Sequence, residues 1–237
     1  MVSTSKEPAK IAGMFDAIAR RYDTLNHVLS AGLDRGWRRK LVRALDLTGQ
    51  DRVIDVCTGT ADLAMAAATS GGGPRHVVGV DFSGAMLAIG GRKIQRAGLA
   101  SRVQLVRGDA TNLPVKSAWA DAAMIAFGIR NVVDTDAALR ELHRVLRPGG
   151  RLAILEFGLP RNAQLGALYR SYFRHILPRI GRLVSRHSDA YSYLPASVAE
   201  FPSGDAFTAR LGAAGFSSLR SVPIAMGAVY LYVARKG

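Results

Sequence analysis

The chain has 237 residues, 49% of them hydrophobic, and 32 Lys and Arg against 18 Asp and Glu, for a formal net charge of +14. That length is enough for one sizeable core, and the charge predicts attraction to an anionic surface, whether nucleic acid, lipid or an acidic protein. A single cysteine, Cys57, excludes an internal disulfide, and no Cys/His spacing has the form of a metal site, so no metal is expected. The longest apolar run, Val222 to Ala234, has 13 residues and includes Pro223 and Gly227, short of the roughly 20 that cross a bilayer. Met1 to Lys10 is polar, which predicts no secretory signal and a cytoplasmic location.

In chain order, residues 10–46 read as helical. Ile11, Met14, Phe15, Ile18, Tyr22 and Leu25 recur at three- and four-residue spacing and form one apolar face. Arg35, Arg38, Arg39, Lys40 and Arg43 then interleave with Trp37, Leu41 and Val42 as a basic amphipathic helix. From Asp51 to Phe157, short Val/Ile/Leu/Ala strands near 52–57, 76–81, 102–107, 121–127 and 150–157 alternate with helices near 61–69, 84–97 and 135–146. This alternation predicts a mostly parallel sheet. Asp134, Thr135 and Asp136 are capping candidates for the third of those helices, and Pro148-Gly149 predicts a type II turn into the fifth strand. Gly71-Gly72-Gly73-Pro74 precedes a strand and so reads as a loop, not a phosphate cradle. Residues 161–187 carry six arginines and no acid among apolar residues, which suits a membrane interface or a solvated basic face. From about Gly204 the pattern is a helix and then two strands, Leu219 to Ile224 and Val229 to Ala234, that close the sheet.

Three strands run into an acid: Val53-Ile54-Asp55, Val77 to Asp81, and Val103 to Asp109. In an open parallel sheet ligands bind outside the carboxyl ends of the strands, where acids reach ribose hydroxyls, an amino group and an adenine edge. Gly59 follows the first acid and lets the backbone approach a ligand, but the further glycines that cradle a pyrophosphate are missing. A nucleoside cofactor without phosphate, S-adenosylmethionine, fits. Cys57 is expected to pack at a strand end, since no activating base is visible.

At this point the chain resembles the ubiquinone/menaquinone-biosynthesis C-methyltransferases, a family of class I S-adenosylmethionine-dependent enzymes. The resemblance runs from Met14-Phe15-Asp16 through Tyr22-Asp23, Asp55-Val56-Cys57-Thr58-Gly59-Thr60 and Gly79-Val80-Asp81-Phe82-Ser83. It continues to Phe127-Gly128-Ile129-Arg130-Asn131-Val132, Arg147-Pro148-Gly149-Gly150, Leu155-Glu156-Phe157 and Tyr191-Ser192-Tyr193-Leu194. It implies a Rossmann-like α/β fold, a seven-stranded mostly parallel sheet with helices on both faces. The expected parts are a helical cap over 1–48, a cofactor core over 49–160, a basic helical insertion over 161–202 and a closing helix and strand pair over 203–237. It also implies methyl transfer to a ring carbon of a prenylated quinol. Cofactor contacts carry over onto Thr60, Asp81 and Asp109 with Ala110, with Gly59 and Phe82 as neighbours by position. Ala61 stands where the family often has glycine, Ala126 where it often has serine and Asp34 where histidine is frequent; a methyl at 61 is expected to narrow the methionine pocket.

A quinol carbon becomes nucleophilic when the neighbouring hydroxyl ionises. Arg130 is therefore expected to stabilise a phenolate and Asn131 to orient its oxygen. Tyr22, His27 or a water on Asn131 are candidates for taking the proton. The bland alternatives are an ion pair of Arg130 with an acid such as Asp134, packing of Tyr22, and a structural His27. Expected partners are the prenylated quinol and an anionic membrane surface that the protein meets peripherally, with no nucleic acid, because no RNA-binding module or Asn/Asp-Pro-Pro-aromatic motif is visible. Monomer and homodimer both stay open. Rival readings are a methyltransferase of a soluble small molecule and a non-catalytic cofactor-binding scaffold.

Overall fold

The computed structural model describes residues 8–30, 32–160 and 189–237; the arginine-rich stretch up to 187 lies outside them. The helical cap is two helices, α1 (Pro8–Leu29) and α2 (Asp34–Ala44). Between them Gly32 takes a left-handed φ of +77°, and its amide donates to the His27 carbonyl at 2.7 Å, a helix stop that suits glycine. The alternation that follows is β1 (Arg52–Val56), α3 (Asp62–Ala68), β2 (His76–Asp81), α4 (Gly84–Arg96), β3 (Val103–Arg107), β4 (Ala120–Ala126), a 3₁₀ turn (Ile129–Asn131), α5 (Thr135–Val145) and β5 (Leu146–Phe157). Then come α6 (Asp189–Glu200), α7 (Asp205–Ala213), β6 (Phe216–Ile224) and β7 (Val229–Lys236).

The seven strands lie in the order β3-β2-β1-β4-β5-β7-β6. β7 runs antiparallel to both β5 and β6, and the remaining pairs are parallel. Alternating residues of β1 explain the two cores: Ile54 and Val56 point to one face with α5 and α7, and Val53 points to the other with α2 and α3. Both faces are covered, which is why β4 from Ala122 to Ala126 reads as a continuous apolar run and not as an alternation. The order reverses between β1 and β4, so the loops that follow these strands diverge and open a crevice at the sheet's carboxyl edge.

Two strand limits differ from the sequence reading. β5 begins at Leu146, which pairs with Ala120, and pairing resumes at Arg151 opposite Ala122. The Pro148-Gly149 turn, with φ +72° at Gly149, is a bulge inside the strand and not a lead-in. β6 begins at Phe216, three residues before the expected Leu219, and shifts register between Ser217 and Arg220. Local signals locate the helix starts better. Ser83 caps α4 by accepting from the Met86 amide at 3.1 Å, and Asp134 caps α5 by accepting from Ala137 at 2.8 Å.

Candidate active site

A cavity of about 510 Å³ fills the crevice, and its wall includes Gly59, Asp81, Phe82, Asp109, Ala110 and Asn131. Those residues lie at or after the ends of β1, β2, β3 and β4, and the strand-and-acid pattern placed Asp81 and Asp109 among them. Asp81 is the organiser: one oxygen accepts from the Gly59 amide at 2.7 Å and the other from the Ser83 amide at 2.9 Å. Burial pushes its carboxyl above the usual range, against the pull of those amides. Each oxygen keeps a lone pair for a ligand hydroxyl. Asp109 holds its own turn by accepting from the Thr111 amide at 2.8 Å.

The loop after β1 is left-handed at three residues, Cys57 (φ 57°), Gly59 (φ 56°) and Ala61 (φ 67°). This corrects the expectation for Ala61. Its methyl is fully buried in the apolar core, and a Cβ built on Gly90 of α4 would come within 3.1 Å of it, so the methyl packs against α4 and does not narrow the cavity. Glycine is favoured at 61 for its backbone freedom. Cys57 packs at the strand end as expected. Burial, with Asp81 next, holds its thiol well above the ordinary value, which leaves it no thiolate character.

The turn after β4 corrects a second expectation. Arg130 is not on the cavity wall. Its Nη1 donates to Glu156 Oε1 at 2.6 Å and to the Phe127 carbonyl at 2.7 Å, and the guanidinium lies 5.2 Å from the Phe157 ring centroid. Its partner is Glu156, at the end of β5, and not Asp134, whose carboxylate caps α5. Asn131 Nδ2 reaches the same Phe127 carbonyl at 3.5 Å, while its Oδ1 is buried without a hydrogen-bond partner. Gly128 makes the turn possible: a Cβ there would lie 2.3 Å from Cys57 Cβ.

From α1, Ile11, Phe15 and Tyr22 close one side of the cavity. Burial raises the Tyr22 hydroxyl's pKa despite a hydrogen bond with the Asn26 side chain, so Tyr22 keeps its proton and is suited to donating, not to accepting as the sequence reading allowed. His27 is structural, as its bland reading had it: Nδ1 lies 3.2 Å from Asp34 Oδ1, and Asp34 also pairs with Arg38. Thr60 departs from its expected place. It is buried, is not on the wall, and donates to Asp23 Oδ1 at 2.5 Å.

Asp55 is 1% exposed, and burial raises its pKa to about 7, with Asp81's like charge adding and the Thr58 hydroxyl, 2.6 Å away, opposing. A carboxyl whose folded pKa exceeds its unfolded value stabilises the fold most below the unfolded value, and that stabilisation is lost as pH rises through about 7. The free protein should therefore lose on the order of 2 kcal/mol between pH 5.5 and 8 through this group, a loss missing from Asp55→Asn. Thermal melts of the two proteins at both pH values check this; equal slopes would contradict the assignment.

The sheet order, the single reversed strand and the acids at the ends of β1, β2 and β3 define the class I methyltransferase architecture. A solved S-adenosylmethionine-dependent methyltransferase from Aquifex aeolicus shares it at 18% identity and a TM-score of 0.62, covering 98% of this chain and 99% of that one. So does phosphoethanolamine N-methyltransferase 2 of Haemonchus contortus, solved with S-adenosyl-L-methionine, at 17% identity and a TM-score of 0.59 over 80% of this chain and 49% of that one. At these identities the likeness is of fold. The chain belongs to the ubiE/COQ5 methyltransferase family, whose model matches residues 3–236. It is 42% identical over 236 residues to the ubiquinone/menaquinone biosynthesis C-methyltransferase UbiE of Geotalea daltonii, covering 100% of both chains. It is 44% identical over 234 residues to the demethylmenaquinone methyltransferase of Mycolicibacterium gilvum, covering 99% of this chain and 98% of that one.

Proposed function

We infer that the protein catalyses S-adenosylmethionine-dependent C-methylation of a reduced, prenylated ring in menaquinone or ubiquinone biosynthesis. The observation that carries the reading is the full-length match to relatives named for that activity, together with a cavity whose donor set suits the cofactor. Asp81 offers acceptors to a hydroxyl pair, and the buried Asn131 Oδ1 wants a donor. Asp109 and Ala110 would flank the adenine and Gly59 the amino-acid end. When bound, S-adenosylmethionine supplies a methyl group on a positively charged sulfur.

The chain's own residues then align the acceptor and exclude water. Asn131 Oδ1 accepts from a ring hydroxyl. Tyr22, which retains its proton, donates to a ring oxygen and favours its ionised form, which raises the nucleophilicity of the adjacent carbon; the hydroxyl proton, and the hydrogen that the methylated carbon gives up, leave to water. Arg130, its charge balanced by Glu156, holds the Phe127 carbonyl and so shapes the turn that presents Asn131; it is a positioning residue.

A peripheral, anionic membrane surface is part of this reading. Arg35, Arg39, Lys40 and Arg43 are basic residues of α2, and no described helix is long and apolar enough to cross a membrane. The test is turnover of short-tailed demethylmenaquinol and a demethoxyubiquinol-type ring, read by mass, and of a long-tailed acceptor in anionic vesicles. One added methyl on either ring and salt-sensitive turnover in vesicles are expected. Cofactor binding without product on any ring would overturn the quinol assignment, and salt-independent turnover the surface assignment.

A further inference from the structure

None of the described α1 side chains belongs to either apolar core, although Ile18 and Ala19 are buried. Yet the helix supplies Ile11, Phe15 and Tyr22 to the cavity wall. Polar contacts fasten it to the cofactor half. Asp16 accepts from the Ser83 hydroxyl, the same oxygen that caps α4. Asp23 accepts from Thr60 Oγ1 and pairs with Lys93 Nζ at 2.8 Å. Lys93 also pairs with Asp62 at the start of α3 and donates to Thr60 Oγ1 at 3.3 Å. A single ammonium therefore ties α1, α3 and α4 together around the loop after β1.

We propose that Asp23 and Lys93 are positioning residues that latch α1 as a lid over the cofactor cavity and set the rate at which cofactor and its demethylated product exchange. The proposal rests on the cofactor reading above but not on the identity of the acceptor. A wall of apolar side chains along one side of a ligand cavity is placed to gate exchange. This wall is held by side chains 25% (Lys93), 39% (Asp23) and 35% (Asp62) exposed. Such partly solvated pairs are weak individually, so the helix falls at the low-stability end of the fold and opens without unfolding the sheet. Filling the cavity gives Ile11 and Phe15 a partner and draws the lid down. Thr60 then acts through its hydroxyl on α1, which accounts for its place off the cavity wall.

The test compares the wild type with Lys93→Met, Asp23→Asn and Lys93→Arg. Stopped-flow release of S-adenosylhomocysteine should be about tenfold faster in the first two and return to within about threefold of wild type in Lys93→Arg, with melting temperatures little changed. Hydrogen exchange over residues 11–23 should quicken in the same two variants while β1 and β4 keep their protection. Unchanged release in Lys93→Met and Asp23→Asn would overturn the latch, as would a uniform rise in exchange across the sheet. Should the wild type bind no cofactor, the cofactor reading falls, and exchange over 11–23 in the free protein still decides whether Lys93 holds α1: faster exchange in Lys93→Met supports the latch and unchanged exchange overturns it.

Discussion

Alanine at position 81 is expected to weaken S-adenosylmethionine binding about 100-fold or more, because Asp81 does two jobs at once. Its oxygens align the Gly59 and Ser83 amides at 2.7 and 2.9 Å, and it presents the charged acceptor at the cavity wall. Hydrogen bonds to a charged group contribute about 1.5–3 kcal/mol each, and about 1.4 kcal/mol is a factor of ten. Asp81→Asn keeps one acceptor oxygen and should lose about tenfold. Calorimetric titration of the three proteins reads both effects, and an alanine variant within threefold of wild type would remove Asp81 from the binding site.

Breaking the Arg130–Glu156 pair should cost the fold more stability than the substitutions at Asp23, Asp55, Asp81 or Lys93. The side chains are 7% and 0% exposed, so Glu156→Ala leaves a buried guanidinium without its counter-charge, a loss of about 3–5 kcal/mol. Arg130→Met paired with Glu156→Leu removes both charges and should recover much of that stability in denaturant titrations, since apolar residues often replace a buried pair without penalty. Turnover should stay low in the double variant, because the Phe127 carbonyl loses its 2.7 Å donor and Asn131 its fixed turn. Recovery of turnover along with stability would reduce Arg130 to a packing role. A loss below about 1 kcal/mol in Glu156→Ala would mean that the pair is solvated.

Strand-and-acid spacing made the sheet and two acids of the cavity wall, Asp81 and Asp109, legible. Val53 to Asp55, Val77 to Asp81 and Val103 to Asp109 each state a local pattern, and local patterns survive folding when both faces of a strand are buried. What the sequence did not disclose depends on residues far apart in the chain. Arg130 and Glu156 are 26 positions apart and meet because β4 and β5 are neighbours. The same strand-and-acid rule, extended to Leu155-Glu156, would have flagged Glu156. Lys93 and Asp23 are 70 apart, and nothing in a helix-like stretch shows that its lysine turns toward α1. The left-handed backbone at Cys57 was equally hidden, since that residue type does not advertise a positive φ, whereas at Ala61 the glycine frequent in the family was its signal.

The outer strand β6 has a bearing on self-association. Among the described residues β6 is an outer strand that pairs on one side, with β7, and such a border invites a second copy to continue the sheet. Here the border is broken twice, by Pro223, which brings no amide, and by the slip in register between Ser217 and Arg220. Two molecules approaching edge to edge along β6 would find mismatched donors and an arginine on each side. If this protein pairs with itself, it does so through another face, and crowding at high concentration need not lead to ribbon-like aggregation through β6.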